Sequence, residues 1–527
     1  MPAGSIDATP QIYLSFTALR HRGPLSTAPL SRPGRMHRSL TALFLLASAP
    51  AAVSAQSLAK RLDRLLDADP FDRHHWGVVV IDTTGKVLYQ RNATRLFVPA
   101  SNTKLVVTAT ATALLPPDGT VMTSVYAAGP VEGGVVRGDL VLYGRGDPTM
   151  SRRCFDADTT RTGACETDPA RRLRELAAQL KARGIRAVAG AVVGDGSYFE
   201  PGTVHGTWEG DDLVWWYAAP VSGLAFNDNS LDLHWGPGPE AGAPGRLAIE
   251  PDLGDVTLEN RTMTVAAAAP GEGGLDVGRM GPLSLWAAGS IPAGGPPRTS
   301  YVALPDPNRF AASALRRALA DSGIAVLGAT ESTTDSMRYA AARRAEPLAE
   351  TRSRPFREWL VPILGPSQNL FAEMLLKQVG RQVLGEGSWR AAIAVERRFL
   401  IDSVGVDSTQ FSLRDGSGLS HVNVVSPLAF ARLLLWLRRH PDFPIVEAAL
   451  PIAGRYGTIR NRMVGTAVEG RVRAKTGTIF RVNALSGYVT LPSGRTRIFS
   501  IQTNNHDLRG GAMTAQMDSV VVEIGRR

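Results

Sequence analysis

Three short polar motifs, spread between residues 101 and 478, constrain this chain more than any other feature. Ser101 and Lys104 open an apolar run (Leu105, Val106, Val107); three residues apart on a helix, they share a face and their side chains can meet. Ser367, Gln368 and Asn369 precede an amphipathic stretch carrying Phe371, Met374, Leu375 and Val379. Lys475, Thr476 and Gly477, followed by Thr478, lead into β-type sequence. The second and third patterns occur once each. A fold that uses all three must bring distant parts of the chain to one place.

The first motif has a chemical reading of its own. A serine hydroxyl is a weak nucleophile until a neighbour can take its proton. Lysine can do so if burial or a second cation lowers its pKa, whereas arginine cannot. Composition sharpens the point, because only six of the 58 Lys+Arg are lysine: Lys60, Lys86, Lys104, Lys181, Lys377 and Lys475. The same Ser-x-x-Lys spacing recurs at Ser57 and Lys60. Read alone, Ser101 could equally be a helix N-cap beside a solvated lysine. The other two motifs decide between these readings.

In order, Ser-x-x-Lys, Ser-x-Asn and Lys-Thr-Gly resemble the active-site set of penicillin-binding proteins and serine β-lactamases. The long interval from Ser101 to Ser367 is similar to that of the class C low-molecular-mass penicillin-binding proteins, the D-alanyl-D-alanine carboxypeptidase/endopeptidases of peptidase family S13. Flanking stretches at 99–105, 146–148, 415–420, 457–458 and 485–489 resemble that family as well. The resemblance implies an α/β (α+β) serine DD-peptidase/β-lactamase-like fold, with an antiparallel sheet flanked by helices and an inserted β-rich region. It implies that Ser101 attacks the carbonyl of the penultimate D-alanine of a peptidoglycan stem peptide while Lys104 accepts its proton. Ser367 would relay a proton to the leaving D-alanine, and Asn369 would hold Lys104 and the substrate amide. Lys475 would add positive potential beside Lys104. Thr476 and Thr478 would bind the terminal carboxylate along the strand of Gly477, and the N–H groups of Ser101 and Thr478 would form the oxyanion hole. β-Lactams would acylate Ser101, and no cofactor is implied.

Periodicity organises the rest. Residues 76–82 and 86–90 read as a hairpin around a turn at 83–85, leading into a Ser101 helix that stops at Pro116 and Pro117. Residues 118–305 read as β-rich inserted sequence interrupted by one helix, with Asp168 and Pro169 at its start, Leu173, Leu176, Ala177 and Leu180 on one face, and Gly184 at its end. Gly144, Gly146, Asp147 and Pro148 read as a tight turn. Helical texture returns over 306–527, which with 56–117 would form one catalytic domain. The insert is expected to fold separately and to supply no catalytic side chain.

Residues 1–55 carry a basic start at His37 and Arg38, an apolar run over 40–53 and small residues at Val53 and Ala55, the pattern of a secretory signal. Met36 is the expected start, and the product is expected in the periplasm. Losing Arg20, Arg22, Arg32, Arg35 and Arg38 against Asp7 lowers the formal net charge from +10 to +6. That excess suits peripheral contact with an anionic wall or membrane surface; without a clustered basic stripe it does not suggest nucleic acid. Cys154 and Cys165 bracket a short loop, and in an exported chain a disulfide between them would be worth about 3 kcal/mol. No metal-ligand spacing is present. A serine β-lactamase is the rival enzyme, but no Glu-x-x-x-Asn pattern lies between Asn369 and Lys475. A non-catalytic penicillin-sensing or wall-binding protein is the rival of another class, and the intact side chains at all three motifs argue against it.

Overall fold

The computed structural model describes residues 57–266, 273–508 and 511–526. The expected signal segment lies outside the described residues. At the centre is a five-stranded antiparallel sheet in the order Val87–Arg91, His75–Asp82, Thr496–Asn504, Val482–Thr490, Val472–Ile479. The expected hairpin supplies the first two strands, and Asp82 Oδ1 accepts from Thr84 N and Lys86 N to close its turn.

Strand alternation feeds two cores. Val78 and Val80 point to one face, where they meet Leu62 and Leu66 of the helix Leu58–Leu66 and Val520, Val521 and Ile524 of the helix Ala512–Gly525. Val79 and Ile81 point to the other, onto the helices Lys104–Leu114, Asn369–Leu384 and Pro427–Arg439. Every residue of the first of these three helices from Lys104 to Ala111 is buried, so it runs through the middle of the domain. Ser388 and Ser426 cap the helices that follow them, accepting from Ala391 N and Ala429 N.

The insert is built on a mixed sheet of Thr330–Thr333, Val192–Asp195, Asp139–Gly144, Met122–Ala128 and Ala349–Arg352. Two three-stranded sheets complete it among the described residues, together with a four-stranded one made of two-residue strands. The expected helix spans Arg171–Ala182 and buries the four predicted residues. Cys154 and Cys165 are joined in a disulfide.

Two expectations need correction. The insert does not end at residue 305: strands at 330–333 and 349–352 belong to its sheet, and the helix Pro307–Asp321 buries Phe310 and Leu315 in its core. An amphipathic period shows that a helix has a buried face, not which core receives it. Nor is the insert a separate unit. Val121, Phe155, Phe199, Trp208 and Val221 lie in the same apolar core as Leu105, Phe371 and Phe430.

Candidate active site

Ser101 sits in a single 3-10 turn, Ala100–Thr103, that runs directly into the helix of Lys104. The turn is held from several sides. Asn504 accepts from Val98 N at 2.7 Å and donates to Val98 O at 3.2 Å. Thr103 Oγ1 donates to Ala100 O at 2.9 Å. Gly477 and Gly418 pack so closely that a Cβ on either would run into the carbonyl of Pro99 or Ala100, respectively. Ala100 itself is at φ +46°, a left-handed conformation that costs a non-glycine residue about 1–3 kcal/mol and persists because its surroundings impose it.

Lys104 Nζ is fully buried with three partners: Ser101 Oγ at 2.9 Å, Asn369 Oδ1 at 2.7 Å and the Ser417 carbonyl at 2.7 Å. Two of these are carbonyl oxygens, which only accept. As an ammonium, Lys104 Nζ donates to all three; once neutral, it keeps two hydrogens for the carbonyls and can turn its lone pair to the Ser101 hydroxyl. Burial lowers the Lys104 pKa to about 7, against the opposing pull of Glu373 and Asp415. Asn369 cannot turn its amide around without loss, because its Nδ2 donates to the Tyr217 carbonyl at 2.7 Å. The insert therefore reaches the site through its main chain.

Ser367 and Lys475 form the second half of the site. Lys475 Nζ donates to Ser367 Oγ at 2.7 Å and to the Thr476 carbonyl at 2.9 Å. It too is fully buried, and burial first, then the nearby Lys104 charge, hold it well below the ordinary lysine value. For Lys104 the leading cause is burial, ahead of any neighbouring charge. Ser367, at φ +69°, is not the helix cap; Gln368 is, accepting from Leu370 N at 3.0 Å. Since Lys475 donates to Ser367, the Ser367 hydroxyl hydrogen is free to be given elsewhere.

Lys475, Thr476, Gly477 and Thr478 lie on Val472–Ile479, the edge strand of the sheet, beside the Ser101 turn. Thr476 Oγ1 donates to Thr458 Oγ1 at 2.8 Å, and Thr478 Oγ1 accepts from Asn483 Nδ2 at 3.2 Å.

The residues that sequence reasoning missed lie beneath Lys104. Glu373, one turn after Asn369, accepts from Ser417 N at 2.6 Å, Gly416 N at 3.1 Å and Trp389 Nε1 at 2.8 Å. It thereby fixes the loop whose carbonyl holds Lys104. Burial and Asp415 push its pKa up to about 7, while these donors pull it back. Asp415 ties the same loop together, accepting from Gly418 N, Ser420 N, Asn423 Nδ2 and, across from the insert, Trp208 Nε1 at 2.9 Å. The 415–420 stretch resembles the family in sequence without showing what it contacts, and Glu373 reads as one polar residue on an apolar helix.

The model of the D-Ala-D-Ala carboxypeptidase 3 (S13) family matches residues 58–524. The chain belongs to this family. Within it, the chain is 34% identical over 505 residues to the D-alanyl-D-alanine carboxypeptidase of Actinomadura sp. (strain R39), spanning 92% of this chain and 88% of that one. It is 24% identical over 474 residues to penicillin-sensitive carboxypeptidase A of Dictyostelium discoideum, covering 85% and 86% of the two chains. Penicillin binding protein 4 (dacB) from Haemophilus influenzae has the same fold, with a TM-score of 0.77 at 21% identity over 88% of this chain and 99% of that one. Membership makes the chain a serine peptidase of the D-Ala-D-Ala carboxypeptidase class.

Proposed function

We propose that this protein removes the terminal D-alanine of peptidoglycan stem peptides through an acyl-enzyme on Ser101. The observation that carries the reading is the environment of Lys104, buried with its Nζ 2.9 Å from Ser101 Oγ and with two carbonyl acceptors for the hydrogens it keeps when neutral. Ser101 Oγ attacks the carbonyl of the penultimate D-alanine and its proton passes to Lys104 Nζ. The tetrahedral oxyanion is held by the N–H groups of Ser101 and Thr478, preorganised donors of the kind that contribute most to acyl transfer. As the C–N bond breaks, Ser367, accepting from Lys475 at 2.7 Å, gives its proton to the departing amine and is resupplied with the one Lys104 took from Ser101. Water then attacks the acyl carbon and gives its proton to Lys104, which returns it to Ser101 Oγ as the shortened peptide leaves. The Thr478 hydroxyl donates to the substrate carboxylate, that of Thr476 does so once its hydrogen turns from Thr458 Oγ1, and Gly477 lets the edge strand lie against Pro99.

A β-lactam resembles the D-Ala-D-Ala terminus but keeps its leaving group tethered after ring opening, so the acyl-enzyme should persist. Peptide mapping of penicillin-labelled protein should place the label on Ser101, and a label on any other serine, Ser57 included, refutes the assignment. Export to the periplasm is supported by the basic start and apolar run of residues 37–53. N-terminal sequencing of the mature protein should begin after Ala55, and a start before Met36 contradicts it.

A further inference from the structure

Behind Thr478 a line of hydrogen bonds runs back to a buried histidine. Asn483, the cross-strand partner of Thr478, donates from Nδ2 to Thr478 Oγ1 at 3.2 Å. On its other side, Asn483 Oδ1 lies 2.7 Å from His506 Nε2. Thr478 is exposed, whereas His506 is 7% exposed, with the ring of His74 edge-on at a centroid distance of 6.2 Å. His506 Nδ1 is buried and has no hydrogen-bond partner among the described residues.

Such a line has two polarities. In one, His506 Nε2–H donates to Asn483 Oδ1, Asn483 Nδ2 donates to Thr478 Oγ1, and the Thr478 hydrogen is left free. In the other, the Asn483 amide is turned around, Nε2 accepts, and the Thr478 hydrogen is spent on Asn483. The second form places the imidazole hydrogen on Nδ1, where it finds no acceptor. A buried N–H without a partner is rarer, and costs more, than a buried lone pair without one. The first polarity therefore prevails. Burial and the neighbouring His74 hold the His506 pKa below its ordinary value, so the ring is neutral and its tautomer matters.

We infer that His506 is a positioning residue: acting through Asn483, it turns the Thr478 hydroxyl so that its hydrogen faces the carboxylate of the bound substrate. Neither His506 nor Asn483 touches substrate. The inference rests on the reading of Thr478 as a carboxylate ligand and extends it to what makes that hydroxyl a donor.

The test compares acylation of the full-length mature protein by a penicillin and by the methyl ester of the same penicillin. His506→Leu keeps the bulk and removes the donor; Asn483→Ala removes the next link; His506→Gln restores an N–H near the Nε2 position. The first two should slow acylation by the free acid about ten- to hundredfold, the loss of one hydrogen bond to a charged group, and leave the ester rate unchanged. His506→Gln should stay within twofold of the parent for both. Circular dichroism of each variant monitors the fold. Equal slowing of acid and ester, or no slowing of either in both His506→Leu and Asn483→Ala, overturns the inference. Thr478→Val separates the two levels. If it leaves the acid-to-ester ratio unchanged, the carboxylate reading fails and the inference with it; if it collapses the ratio while His506→Leu does not, only the inference fails.

Discussion

Two amines and three carboxyls (Lys104, Lys475, Glu373, Asp415 and Glu396), all fully buried, lie in and beneath this site, and all but one are held by hydrogen-bond partners. Lys475 is asked for charge and hydrogen bonding, so Lys475→Arg should keep a measurable part of the β-lactam acylation rate despite its bulk. Loss as complete as that of a Lys475→Ala control would contradict that role. Glu396 is the outlier, because neither of its carboxyl oxygens has a hydrogen-bond partner among the described residues. Burial, reinforced by Glu373 and Asp415, raises its pKa well above 4.5, so the folded protein keeps it protonated. Between the unfolded and folded pKa values the folded state then binds more protons, and stability falls as pH rises. Glu396→Gln removes this dependence: its gain in Tm should be larger at pH 8 than at pH 5, and an equal gain at both would show that Glu396 carries no shifted proton. At this scale the chemistry was legible in the sequence, because Ser101, Lys104, Ser367, Asn369 and Lys475 sit in short patterns. The partners that orient Lys104 were not, since a main-chain carbonyl such as that of Ser417, or that of Tyr217 behind Asn369, leaves no mark on residue identity.

Among the elements, the helix Asn369–Leu384 does most to assemble the site. It carries Asn369 to Lys104, Glu373 to the 415–420 loop, and Lys377 to Glu200 of the insert at 2.9 Å, with the Trp389 ring 3.4 Å from the ammonium. Glu373→Gln must turn an NH₂ toward at least one of three donors, so it should cost about 1–3 kcal/mol of stability and slow acylation as the Ser417 carbonyl shifts. Unchanged acylation would show that the loop holds its shape without the carboxylate. Gly418→Ala attacks the same loop from the other side: at φ +81°, its new Cβ would push on the Ala100 carbonyl beside Ser101. It should lower acylation more than an alanine at the exposed Gly405, also in a left-handed conformation. Helix starts were readable from Ser388 and Ser426 because capping chemistry is local. The work of the 415–420 loop was not, because its function lies in contacts with residues far away in sequence.

For the molecule as a whole, sequence reading gave the split catalytic domain but not the closeness of its union with the insert. Alternating apolar residues mark a strand or helix as half-buried without naming its partner, so the return to the catalytic domain was placed at 306 instead of after Arg352. The shared core and the Trp208–Asp415 and Tyr217–Asn369 bonds make the insert part of the site's support. A chain lacking residues 118–352 should therefore be insoluble or fail to acylate. Removing the disulfide is a milder change, because residues 154–165 form a local loop. Cys154→Ser with Cys165→Ser should lower stability by up to about 3 kcal/mol and leave the acylation rate at 25 °C intact. Lost acylation at unchanged Tm would show that this loop shapes the site directly.

The central claim is that burial makes Lys104 the base of Ser101, with two carbonyls taking the hydrogens it keeps. A lysine held near pKa 7 loses its proton as pH rises through that value, so acylation of the parent by a β-lactam should climb to a plateau with an apparent pKa of about 7. In Lys104→Arg the charge remains but no proton can be given up, and at the plateau pH acylation should fall on the order of 10²–10⁴-fold with the circular dichroism unchanged. Acylation by Lys104→Arg within tenfold of the parent, or a parent profile flat from pH 5 to 9, would contradict the claim and send the Ser101 proton by another route.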